Sequence, residues 1–267
     1  HLIPQENDSP VIKAAKLKSI GIQAASISKQ PDISLIVSIF DRYISDENNF
    51  IATAATANLS FFVNRITDNL PLLRKALLCK VQSWIHGADI LTVIEVIDFT
   101  LLPATMIKEL SYKVVELCHA QSEKLSKKAL KTLSVIACPI NRDYLMDAVI
   151  EKLDVFDDFA ILRGVAALYK LLIAQPVLGE KGAARANALV EALDLHMGSV
   201  QILDQCFKCL SLFHVNNKRA AFIALALVKG YDELITGKVY DLKIPLKIAR
   251  RMKMTAASAL DSLNVDI

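Results

Sequence analysis

The chain has 267 residues, a net charge of +3 and 53% hydrophobic residues, but only 6% aromatics, 8 glycines and 8 prolines. A Leu-, Ala-, Ile- and Val-rich chain with so few turn formers favours helix and argues against a sandwich or barrel. No G-x-G-x-x-G follows a strand-like run, and no apolar run approaches the ~18–20 residues of a membrane span, which argues against a nucleotide-binding α/β fold and against membrane insertion.

Residues His1 to Ser9 are polar and read as a flexible tail; a first residue that is His fits a processed or truncated start. Pro10 suits the first turn of a helix running to about Lys29. That helix carries Lys13, Lys16, Lys18 and Lys29 and no acid from Val11 to Gln30. It reads as a short basic capping helix. Organelle targeting peptides share the acid-poor character but favour Arg, which is absent here. Gln30-Pro31-Asp32 restarts the chain, with Ile33, Ile36, Ile39, Phe40 and Ile44 on an apolar flank. Phe50 to Thr67 opens a helix rich in small residues, a composition that lets neighbouring helices approach closely. LLRKALLCKVQSWI then forms its partner. Gly87 is expected to stop that partner helix, and Asp89 to cap the next one, LTVIEVIDF. Pro103 precedes MIKELSYKVVELC, with Met106, Leu110 and Val114 inward.

The stretch from Lys124 to Ala174 shows the repeat most plainly. Leu125, Leu130, Leu133 and Ile136 are assigned to one helix face, and Leu145, Val149 and Leu153 to a second. Ala160, Val165, Leu168 and Leu171 return 35 positions later, and Leu91, Val96, Phe99 and Leu102 stand 34 positions earlier. A unit of that length with two amphipathic helices is the mark of an α-solenoid of stacked antiparallel helix pairs, all-α and without sheet. Pro176 to Gly182 is a longer connection, after which Phe207, Leu210 and Phe213 follow 42 positions behind Val165, Leu168 and Leu171. Beyond Gly237 the pattern turns basic and irregular, interrupted by Pro245. The expected organisation is a tail at 1–9, a helical-repeat array at 10–237 and a basic carboxy-terminal cap at 238–267.

These units resemble heptatricopeptide or octotricopeptide repeats, the degenerate helical-pair repeats of mitochondrial and plastid RNA-associated proteins. More loosely, they are similar to HEAT and armadillo repeats. The resemblance rests on first helices such as Leu125–Leu130–Leu133 and second helices such as Leu145–Val149–Leu153, and spans Pro31 to Gly230. The Trp, Gly, Tyr and Pro pattern of tetratricopeptide repeats and the Thr-Pro-Leu-His of ankyrin repeats are missing. The resemblance implies a non-catalytic scaffold subunit of a mitochondrial RNA–protein assembly (RNA processing or editing, or mitoribosome-associated). Such a subunit would work in the mitochondrial matrix and contact RNA backbone and other protein subunits. A HEAT- or armadillo-like adaptor that binds only proteins, cytoplasmic or organellar, is the alternative.

The candidate sites follow from charge. Lys124, Lys127, Lys128 and Lys131 are spaced as a continuous stripe on one helix face, and Lys243, Lys247, Arg250, Arg251 and Lys253 form a second cluster. Clustered cations of this kind suit phosphate backbone or an acidic protein, the other reading being a solvated helix surface, which the lysine stripe fits better than the Arg251 cluster does. Few aromatics accompany them, so sequence-specific reading of single strands is not expected. Lys247, Arg250, Arg251 and Met254 share one face, with Lys253 at its edge.

The odd count of five cysteines, widely spread, reads as reduced core residues of an intracellular protein. Cys206-Phe-Lys-Cys209 with His214 has the start of a zinc-knuckle spacing, but Arg219 stands where the fourth ligand belongs. Cys118 and His119 are adjacent, and neighbouring helical positions point about 100° apart, so they do not pair as nucleophile and base. Gly179-Glu-Lys-Gly182 lacks the rest of a phosphate loop. No metal, cofactor or catalytic assignment follows.

Overall fold

The computed structural model describes residues 3–26, 30–154, 156–174, 189–193, 195–196, 199–212, 218–235 and 246–262, and all regular structure among them is helical. The chain divides into two compact units, His1–Leu145 and Met146–Ile267.

The first unit contains α1 (Pro10–Ala24), α2 (Gln30–Ile44), α3 (Asn49–Asn58), α4 (Leu70–Leu77), α5 (Trp84–Val96), α6 (Ala104–Cys118) and α7 (Glu123–Ile136). Short polar side chains start most of them. The hydroxyl or amide oxygens of Ser9, Asn48, Asn69, Ser83 and Ser122 accept from backbone N–H groups in the first turns of α1, α3, α4, α5 and α7. Each cap satisfies one donor that the helix cannot satisfy itself.

Alternate helices make one layer. α1 packs on α3, α3 on α5 and α5 on α7, while α2, α4 and α6 lie against this row. Two close approaches bring like ends together in the pairs α1/α3 and α5/α7. Gly21 near the end of α1 faces Asn58 at the end of α3, and Gly87 near the start of α5 faces Leu125 near the start of α7. A Cβ on Gly87 would stand 2.7 Å from Leu125 Cδ2. Small residues also fill the centre of the row, where Ala52, Ala55 and Thr56 of α3 are buried.

Ion pairs stitch one repeat to the next at nearly the repeat length. Lys75 Nζ meets Asp41 Oδ1 at 2.8 Å, Arg74 Nε meets Glu109 Oε2 at 2.8 Å, and Lys128 Nζ meets Glu95 Oε1 at 2.8 Å. The partners are separated by 34, 35 and 33 residues respectively. Ahead of α1, the Tyr43 hydroxyl donates to the Pro4 carbonyl (3.2 Å) and Lys16 pairs with Asp8 (2.7 Å), so residues 3–9 carry contacts to α1 and α2.

α8 (Arg142–Glu151) carries the boundary between the units. The second unit continues with α9 (Asp158–Ala174), helical residues 189–193 (α10), α11 (Val200–Leu210), α12 (Lys218–Ile235) and α13 (Leu246–Ser262). The alternate-helix rule recurs: α9 packs on α11, α11 on α13, and α12 pairs with α13.

Several expectations shift. Gly87 does not end a helix and Asp89 does not start one; Ser83 caps α5, which runs through both. The preceding helix already stops at Leu77. The small-residue helix ends at Asn58, and 3-10 turns at Leu59–Phe61 and Val63–Arg65 follow it. Leu125, Leu133, Ile136, Leu145, Val149, Val165 and Leu168 are buried, but Leu130 and Leu153 are half-buried and Val96 is exposed. Five residues turn a helix about 140° past its starting direction, so Leu130 and Val96 swing away from Leu125 and Leu91. Ala129 and Thr132 take the inward places on α7. Leu153 follows the end of α8 and lies against Gly164, where a Cβ would approach its Cδ1 to 2.7 Å. Phe213, Lys243, Pro245 and the 176–182 connection fall outside the described residues.

Candidate interaction surfaces

The lysine stripe of α7 is less free than its spacing suggests. Lys124 lies over the Trp84 ring at 5.2 Å from the centroid. Lys127 pairs with Glu123 one turn back (2.6 Å), both side chains being well exposed. Lys128 turns onto α5, where its Nζ donates to both carboxylate oxygens of Glu95 at 2.8 Å. The Thr132 hydroxyl adds a third bond to Glu95 at 2.7 Å. Lys131 is exposed, with no partner found among the described residues. Lys128 is therefore committed to the fold, while Lys124 and Lys127 have partners but remain exposed. The i, i+3, i+4 spacing showed which face they share, but Trp84 and Glu95 come from the previous repeat and gave no local signal.

The carboxy-terminal cluster is organised by one buried carboxylate. Asp204 of α11, with 4% of its side chain exposed, accepts from Lys208 Nζ at 2.7 Å and receives Arg251 Nη2 at 3.5 Å. Thr255 of α13 points its hydroxyl at the same group (3.4 Å), so Asp204 ties α13 to α11. Burial, with the Asp204 charge adding to it, raises the Tyr231 phenol above its ordinary range. Lys253 is committed to Asp232 of α12. Ala249, Met252, Ala256 and Ala259 form the buried side of α13. Lys247, Arg250, Arg251 and Met254 are exposed on the other, as is Leu246. Among them Lys247 and Arg250 have no ion-pair partner among the described residues.

The thiols sit in apolar surroundings. Cys206 and Cys209 are buried in α11 between α9 and α13, and burial pushes the Cys206 thiol up to about 12 and Cys209 well above its usual value. His214 falls outside the described residues, and among those described no group of His, Cys, Asp and Glu could hold a metal. A second thiol–imidazole pair, not evident from spacing, joins Cys79 to buried His86 at 3.8 Å. The Gln82 backbone N–H donates to His86 Nδ1 (3.4 Å), which leaves the ring proton on Nε2 facing sulfur. Burial raises the Cys79 thiol and lowers His86, with Lys113 lowering it further. The pair is thus held neutral, the opposite of a thiolate–imidazolium nucleophile.

Two grooves open in the first unit. One, of about 390 Å³, is lined by Ile33, Val37 and Pro71 with Asp68 and Asn69. The other, of about 300 Å³, lies between the ends of α5 and α7.

No protein-family model and no curated protein matches the chain. Among solved structures it is similar to an engineered protein at 14% identity, with 85% of this chain and 98% of that one covered and a TM-score of 0.44. It is also similar to a computationally designed armadillo repeat protein for modular peptide recognition, at 16% identity, 93% and 100% coverage and a TM-score of 0.39. A designed armadillo repeat protein in complex with the peptide (KR)4 aligns at 16% identity, 93% and 99% coverage and a TM-score of 0.37. Scores of that size leave the fold to be read from the helices themselves: an all-α stack of helix pairs in which, among the described residues, no helix is long and apolar enough to cross a membrane.

Proposed function

We propose that the protein is a non-catalytic helical-repeat scaffold that holds protein partners, and that the exposed face of α13 is one of its docking elements. The observation that carries this reading is the composition of that face. Leu246 and Met254, the latter 74% exposed, flank the exposed cations Lys247 and Arg250. α11 and α12 cover the opposite side of α13, where Ala249, Met252, Ala256 and Ala259 are buried, so a partner can dock on the exposed face without disturbing the core. Apolar side chains beside exposed cations suit an acidic, partly apolar protein surface.

A second reading, RNA backbone contact within a mitochondrial RNA–protein assembly, is favoured by the exposed cations Lys131, Lys247 and Arg250 together with the repeat resemblance. It is weakened by the commitment of Lys128 to Glu95.

The double variant Lys247→Glu/Arg250→Glu tests both readings while sparing Arg251, which serves the Asp204 network. The scaffold reading expects loss of co-purifying protein with unchanged helical content. Retention of every partner would remove α13 as a docking element. RNA that binds the wild type with an affinity falling steeply between low and physiological salt would favour the second reading.

A further inference from the structure

We propose that the groove between the carboxy-terminal ends of α5 and α7 is a docking site for a partner polypeptide segment that inserts an arginine or lysine side chain. The walls are Ile97, Phe99, Val135, Ile136 and Ile140; Ile97, Phe99 and Ile136 form a buried floor, while Val135 and Ile140 are 57% and 45% exposed. The volume of about 300 Å³ stands at the lower end of ligand clefts, enough for one or two side chains and too small for a helix.

The polar lining has one sign. Glu95 and Asp98 contribute carboxylates, and no Lys or Arg lines the groove among the described residues. Glu95 is neutralised by Lys128, which takes both of its oxygens. Asp98 is not. Its Oδ1 accepts from the Thr100 hydroxyl at 2.6 Å and the Thr100 backbone N–H at 3.0 Å, while Oδ2 has no partner among the described residues. Those two bonds hold its carboxyl below the usual range, so it is an anion at neutral pH. Its backbone N–H is fixed by Asn64 Oδ1 at 2.8 Å, which sets the carboxylate in place. The carboxy-terminal turns of α5 and α7 converge on the same groove, each adding partial negative charge.

An occupant must therefore offer an apolar stem to Phe99, Val135 and Ile140 and a cationic head to Asp98. Arginine and lysine have that construction, and arginine can bond the carboxylate with a planar fork. An acidic or phosphate-bearing ligand would meet only repulsion.

The inference rests on the scaffold reading in taking the occupant to be protein. Its surface and readout belong to the first unit, so failure here leaves the α13 test standing. Cys138 lines the groove and is half-buried, whereas Cys79 stands outside the lining. The probes are fluorescein-labelled peptides of alternating leucine and arginine, alternating leucine and glutamate, and alternating glycine and arginine, added to the full chain. The leucine–arginine peptide should bind and slow maleimide labelling of Cys138 but not of Cys79. Asp98→Asn should weaken that binding about tenfold, as expected for losing one charge-assisted hydrogen bond. Ile140→Ser should weaken it as well, and Lys131→Ala should not. Where Cys138 labels too slowly to follow, Val135→Cys, a near-isosteric change on the exposed rim that leaves the Asp98–Thr100 bonds intact, places the reporter there. Equal binding of the glutamate or glycine–arginine peptide, an unchanged affinity in Asp98→Asn, or an unprotected reporter would each overturn the proposal.

Discussion

Replacing Lys128 with Met distinguishes a structural lysine from a ligand-binding one. In the folded chain Lys128 and Glu95 retain only 28% and 19% of their side-chain exposure, and their atoms approach to 2.8 Å. At an effective dielectric constant of about 20, that separation gives a gross attraction of about 6 kcal/mol. Desolvation of both groups offsets most of it. Exposed pairs contribute about 0–1 kcal/mol and breaking a fully buried pair costs about 3–5, so a pair this shielded should lie between, near 2 kcal/mol. The loss is sharpened because Glu95 would be left with the Thr132 hydroxyl as its remaining protein donor among the described residues. Urea unfolding followed by fluorescence isolates the first unit, since Trp84 is the single tryptophan of the chain. Lys128→Met should lower stability by about 2 kcal/mol, Lys127→Met by less than about 0.5, and the pair Glu95→Gln/Lys128→Met by less than Lys128→Met alone. If Lys128→Met falls within about 0.5 kcal/mol of wild type, the Glu95–Lys128–Thr132 cluster does not tie α5 to α7 and the stripe returns as solvent-facing charge.

Leu133→Ala should lower stability by about 2–5 kcal/mol and Leu130→Ala by about 1, because only the first leaves a cavity in a closed core; the same urea assay reads both. Burial lifts the Asp89 carboxyl from 3.8 to about 6, so the folded state binds a proton that the unfolded state releases between those values. Stability should therefore fall as pH rises through that window, and Asp89→Asn should flatten the slope and add about 1 kcal/mol at neutral pH after allowance for partial solvation. Cys206 and Cys209 should resist maleimide in the native state and react only on unfolding, as read by mass spectrometry. Rapid native labelling of either would contradict their burial.

Helix formation and stacking were legible in the sequence because they depend on spacing along one chain. The returning pattern 34 and 35 positions apart, the inward Met106, Leu110 and Val114, and the Pro10 start of α1 are properties of residue spacing and type along the chain, whereas the cap assigned to Asp89 failed. The sequence alone also placed Lys247, Arg250, Arg251 and Met254 on one face, since α-helical geometry permits no other arrangement. Tertiary structure decided everything that depended on the neighbouring repeat. Gly87 reads as a stop locally, yet it lies inside α5, where Leu125 of α7 leaves no room for a Cβ. Leu130 looks like core until the packing partners of α7 choose Ala129 and Thr132 instead. Four lysines at helical spacing look like one basic stripe, but Glu95 and Trp84 from the preceding repeat take two of them. In a solenoid each helix has its polar face set by the repeats before and after it. Which charges remain free is therefore fixed by contacts some 34 residues distant, beyond the reach of a local pattern.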